Sequence, residues 1–188
     1  MPGDHGVGAF ATVAHNDDDG AIPTSRLTFT AQAGTTYVVA VSGKNGASGL
    51  TLLNLGTTPA NDLFATPVEL AGISTHLTAT NAHCSRETGE PRILGAAGGT
   101  SLWYRWTAPA TGRFQLGLRS DGFDPLLAVY TGGSPGALTL VAASDNADTQ
   151  TRGVETSTTA IVTIEALAGV TYQDRKSTRL NSSHITIS

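Results

Sequence analysis

Between Ser101 and Gly132 the chain reads SLWYRWTAPATGRFQLGLRSDGFDPLLAVYTG, and this block restricts the fold more than any other stretch. Trp103 and Arg105 alternate with Leu102, Tyr104 and Trp106. That is the two-residue period of a strand whose faces meet different surroundings. Thr107 to Gly112 interrupts the run, because Pro109 has no amide to donate and Gly112 tolerates a positive φ. Phe114, Leu116 and Leu118 resume the alternation. Ser120 to Asp124 turns the chain again, and Leu126 to Tyr130 reads as a short, wholly apolar strand. Strands this short, separated by turn signals, predict an all-β chain folded as an antiparallel β-sandwich.

The block and its flanks carry a resemblance. Asn61-Asp62-Leu63-Phe64, Gly89-Glu90-Pro91, Trp103 to Trp106, and Thr107-Ala108-Pro109 with Gly112 come first. Phe123-Asp124, Ala128-Val129-Tyr130-Thr131-Gly132, Ser144-Asp145-Asn146 and Ala168-Gly169-Val170-Thr171-Tyr172 follow in order. From about Asn61 to Tyr172 the chain resembles the bacterial pre-peptidase C-terminal domain, an accessory β-sandwich beside secreted proteases and other extracellular enzymes. Pro125 departs from the pattern, standing where that family usually has a threonine. The resemblance implies a jelly-roll-like sandwich, an extracellular or cell-surface location and an accessory role.

Composition agrees with a β-sandwich and narrows the function classes. Charged residues are only 14% of the chain, and there is enough chain for a sandwich core. The formal net charge of −4 becomes about −6 once Asp174, Arg175, Lys176 and Arg179 are set aside. Such a chain has no electrostatic footprint for nucleic acid. A single cysteine, Cys84, excludes an intramolecular disulfide framework. No apolar run approaches the roughly 18–20 residues of a membrane-spanning helix. Met1 to Gly6 lacks the basic and apolar regions of a signal peptide, so an export signal is expected outside this stretch.

The N-terminal third echoes the C-terminal third. Val13-Ala-His-Asn-Asp-Asp-Asp19 parallels Val141-Ala-Ala-Ser-Asp-Asn146, and Arg26 to Tyr37 parallels Ile161 to Tyr172. The predicted division is the C-terminal half of one module over 1–55, a linker over 56–60, and a second module over 61–173 lacking its last strands. Strands are expected over Thr35–Gly43 and Gly49–Leu55 in the first copy. Residues 174–188, DRKSTRLNSSHITIS, resemble the in-frame translation of sequencing-adapter DNA and are set aside as a non-native tail. A sandwich short of strands leaves unpaired edge amides, so strand exchange is expected, within one chain or between truncated chains.

Two acidic turns are candidate metal sites. Asn16, Asp17, Asp18 and Asp19 crowd oxygen ligands into one turn, and Asp145, Asn146 and Asp148 nearly repeat the pattern. Closely spaced hard oxygens suit calcium, because a divalent ion relieves carboxylate repulsion. Asp and Asn bonding their own backbone in a solvated turn explain the same residues, and the spacing is not that of an EF-hand. Asp121 and Asp124 flank Gly122 in a third turn, read as structural.

Trp103 with Arg105 is the candidate ligand-binding pair, an indole and a guanidinium on the strand face opposite Tyr104 and Trp106. Tyr130 and Tyr172 read as packing residues. Cys84 beside His83, with Glu87 nearby, does not make a nucleophile and base, because adjacent side chains of an extended segment point apart. His76 and His83 lack a third ligand for zinc. No catalytic set is predicted. The expected function is a non-catalytic extracellular module of a secreted bacterial protein. It would adhere to an extracellular polymer (protein or polysaccharide) or a cell surface, or assist secretion of an attached enzyme. The alternative is a purely structural spacer stabilised by calcium or by nothing.

Overall fold

The structure, a computed structural model, describes residues 11–18, 25–96, 99–121, 123–145, 158–178 and 185–186. The chain divides into two compact units, Met1–Leu52 and Leu53–Ser188.

In the second unit the alternating patterns of the sequence become strands. β1 (Val68–Leu70), β2 (Ser101–Thr107), β3 (Gly112–Ser120), β4 (Pro125–Thr131), β5 (Thr139–Ser144), β6 (Thr159–Ala166), β7 (Thr171–Thr178) and β8 (Ile185–Thr186) follow in chain order. They form a five-stranded sheet in the order β1-β2-β7-β4-β5 and a three-stranded sheet in the order β6-β3-β8. Among the described residues the fold is all-β, and every strand pairing is antiparallel except β1 with β2, which run parallel. No helix is long and apolar enough to cross a membrane among the described residues.

Two apolar clusters lie on the two faces of the large sheet. On one face Leu102, Tyr104, Leu127 and Val129 pack with Leu118 of β3 and with Ala160, Val162, Ile164 and Ala166, the alternate residues of β6. This is the sandwich interior, and β6 turns Ile161, Thr163 and Glu165 outward as a half-solvated strand must. On the other face Trp103, Leu126, Ala128 and Tyr130 meet Phe64 and Ile93 from the 61–96 stretch. That stretch covers the sheet, which is why β4 is apolar throughout and buried from Pro125 to Tyr130.

Residue 173, the expected end of the second module and start of the tail, falls inside a strand. β7 continues through Asp174, Arg175, Lys176 and Ser177 and lies between β2 and β4, at the centre of the larger sheet. β8 pairs Ile185 and Thr186 with β3.

The first unit has a different character. Thr35–Gly43 and Gly49–Leu55, expected as strands, form none, and no described residue from 11 to 52 is buried. Strands without a sheet to pair in and a second layer to bury against are not stable alone. One local feature is nonetheless well formed. Gly34 takes φ 78, the Thr35 amide donates to the Gln32 carbonyl, and the Gln32 amide donates to the Tyr37 hydroxyl at 3.1 Å. In the second unit Gly169 takes φ 78, the Val170 amide donates to the Leu167 carbonyl, and the Leu167 amide donates to the Tyr172 hydroxyl at 3.1 Å. The two turns are the same, residue for residue, in the alignment that pairs Tyr37 with Tyr172.

Candidate functional site

Trp103 does not face solvent. Its relative exposure is 0%, because the 61–96 stretch is stitched over this face of β2. The Trp103 amide donates to the Asn61 carbonyl at 2.9 Å, and the Asn61 side chain donates to the Trp103 carbonyl at 3.0 Å. Phe64 meets the indole edge-on at 5.0 Å, and the indole N–H donates to Glu90 at 3.3 Å. The Trp103 half of the proposed ligand-binding pair is therefore corrected to a core residue. A covering loop has no periodic signal that would announce which side of a strand it lies on. Arg105, two residues along the same face, is partly exposed and donates to Glu69 of β1 at 3.0 Å.

The other aromatic side chains follow the expected packing roles. Tyr104 sits in the sandwich interior, and burial pushes its pKa up to about 12. Trp106 is half-buried, stacks edge-on against Phe114 at 4.7 Å and donates from its indole to the Gly72 carbonyl. Tyr130 is buried on the covered face, where burial raises its pKa, and Tyr172 lies against Trp106.

The densest polar arrangement centres on Glu90, of the Gly89-Glu90-Pro91 motif. Its side chain is fully buried, yet both oxygens have partners. Oε1 accepts from Ser101 Oγ at 2.7 Å and from the Trp103 indole, and Oε2 accepts from Arg175 Nη2 at 2.5 Å. Arg86 Nε lies 4.0 Å from Oε2. Arg175 also donates to the Pro91 carbonyl at 2.8 Å and lies over the Trp103 ring. Its burial pulls its pKa below the usual guanidinium value, against the opposing pull of Glu90. A second carboxylate, Asp62, accepts from the Ser85 amide at 2.5 Å and the Ser85 hydroxyl at 2.9 Å, while Glu87 accepts from the Phe64 amide. The motifs mark Glu90 and Asp62 in the sequence, but that Glu90 ties the cover to β2 and β7, while Asp62 and Glu87 tie the cover to itself, needed the fold to be seen.

The first acidic turn is closed by the chain's own groups. Asn16 donates to the Arg26 carbonyl and accepts from the Asp17 amide. Lys44 donates to Asp17 at 2.6 Å and lies 3.6 Å from Asp18. The hydrogen bond to Asp17 is the main reason that the Lys44 pKa is raised. An ammonium thus lies against both carboxylates, so Asp17 and Asp18 have a cationic partner within the chain. Asp19, Asn146 and Asp148 lie outside the described residues, and Asp145 is partly buried at the end of β5. Among the described residues no three His, Cys, Asp or Glu side chains converge on one point. In the third turn the Ser120 hydroxyl donates to the Phe123 carbonyl.

Cys84 is fully buried in the sandwich-side cluster, whereas His83 takes φ 64 and faces solvent. The two side chains part, His83 through its left-handed backbone and not through the extended geometry expected, and the thiol is enclosed in the cluster. His76 is exposed as well. Comparison with protein-family models, curated proteins and solved structures gives no match to this chain.

Proposed function

We propose that the chain is a non-catalytic accessory module of a secreted bacterial protein and that it serves as a structural spacer. Extracellular location comes from the resemblance over Asn61 to Tyr172. The spacer role, in preference to adhesion to a polymer or surface, is supported above all by the burial of Trp103. The ring offered for stacking is enclosed, and the carboxylates around it are taken up by backbone and side-chain donors of the same chain. A sheet covered on both faces holds its own shape and so can separate the domains on either side of it.

The test is retention of the full chain on insoluble collagen, cellulose and chitin. A spacer passes through all three at the rate of an inert protein. Retention on any of them that Arg105→Ala abolishes, with the melting temperature unchanged, would overturn the spacer reading in favour of adhesion.

A further inference from the structure

The central position of the large sheet demands an apolar strand on both faces, and β7 does not supply one. On the sandwich side Asp174 stands between Tyr104 and Val129, and Lys176 between Leu102 and Leu127. On the covered side Gln173 stands beside Tyr130, and Arg175 between Trp103 and Ala128. Asp174 is 2% exposed and Lys176 4%. Neither oxygen of Asp174 has a hydrogen-bond partner, and its nearest cation is Lys176 at 3.4 Å. Gln173 Oε1 and Arg175 Nε are also buried without a partner. Buried polar atoms left unpaired in this way oppose the strand's occupancy of its place.

The same chain holds a segment that would fit. The matched turns at Gly34 and Gly169 align Tyr37 with Tyr172, and the alignment runs on past both tyrosines without an insertion. In that register Val39 and Val41 take the positions of Asp174 and Lys176, while Val38 and Ala40 take those of Gln173 and Arg175. Every partnerless polar group of β7 is replaced by an aliphatic one. Alanine between Trp103 and Ala128 leaves Glu90 Oε1 its bonds from Ser101 and Trp103, while Oε2 exchanges Arg175 for Arg86, whose Nε lies 4.0 Å away. In its own unit the segment is unused: Val38, Val39 and Val41 are 67%, 56% and 60% exposed, and the segment joins no sheet.

We infer that the β7 position is a strand-acceptor site whose occupant is Tyr37–Gly43 of a second copy of this chain, which displaces Gln173–Thr178. Main-chain hydrogen bonds to β2 and β4 are kept through the exchange, so selectivity rests on the side chains. Donor and acceptor are different surfaces, so the association is head-to-tail and grows with concentration into rings or open chains.

The experiment combines a fluorescent peptide of sequence TTYVVAVSG, residues 35–43, with sedimentation of the full chain over a wide concentration range. The chain is expected to bind the peptide saturably and to self-associate. A peptide carrying Val39→Asp and Val41→Lys should bind about a hundredfold more weakly, from two lost valine burials. Asp174→Val with Lys176→Val in the chain fills the site from within, so that variant should neither bind peptide nor associate. A raised melting temperature for it shows that the loss is not unfolding. Val39→Asp with Val41→Lys in the chain changes only exposed positions; that variant should stay monomeric yet still bind added peptide. Absence of peptide binding to the wild-type chain overturns the inference. So does undiminished binding to the Asp174→Val, Lys176→Val variant, or unchanged association of the donor variant.

Discussion

Asp174 and Lys176 form an ion pair inside the sandwich, with side chains 3% and 5% exposed and no hydrogen bond to the carboxylate. Replacing both with valine removes two desolvated charges and leaves aliphatic neighbours for Tyr104, Val129, Leu102 and Leu127. Exchanging a buried pair for hydrophobic residues commonly stabilises by ~1–4 kcal/mol. Valine is shorter than lysine, and the space left by the lysine stem takes back part of that. A gain of about 2 kcal/mol remains, or roughly 6–10 °C in melting temperature for a unit of this size. Asp174→Val alone strands the Lys176 ammonium against the Tyr104 ring and should instead cost about 3–5 kcal/mol.

Both tryptophans lie in β2, so indole fluorescence during a thermal scan reports this unit and not the first. The pH dependence gives a second check. Burial raises the Asp174 pKa above its ordinary 3.8, so the folded state holds that proton more tightly than the unfolded chain does. Its contribution is therefore fully present below pH 3.8 and is lost as pH rises through the higher folded pKa. The advantage of the double variant should accordingly widen from acid toward neutral pH. A double variant that melts at or below the wild-type temperature at neutral pH, or a single variant no worse than the double, would refute the reasoning.

Glu90→Ala leaves Arg175 buried without its anion and should lower stability by about 3–5 kcal/mol in urea unfolding, with Glu90→Gln retaining part of the loss. Gly132 takes φ 128, and a Cβ there would come within 2.5 Å of the Ala137 carbonyl oxygen. Gly132→Ala should cost ~1–3 kcal/mol by the same assay, unlike Gly133→Ala, which meets nothing nearby. Cys84 should react with a soluble thiol reagent only as fast as the unit unfolds, so labelling in urea should track the fluorescence transition. Melting with excess calcium and with a chelator should coincide, because Lys44 already sits against Asp17 and Asp18; a calcium-dependent rise would place ligands elsewhere.

What the sequence determined by itself was local. The alternation from Ser101 to Tyr130, with Pro109, Gly112 and the Ser120–Asp124 turn, specified β2, β3 and β4, because a strand's period and its turn residues depend on neighbours a few positions away. The Gly34 and Gly169 turns were legible as a repeat for the same reason. Tertiary structure alone decided which face of β2 is covered, and with it the burial of Trp103 and the role of Glu90, since residues 61–96 carry no periodic pattern. It also decided that Gln173–Thr178 lies between β2 and β4. Polar residues argue against a central strand, but backbone pairing with both neighbours is a non-local condition that overrides local preference, leaving unpaired charge in the core as its consequence.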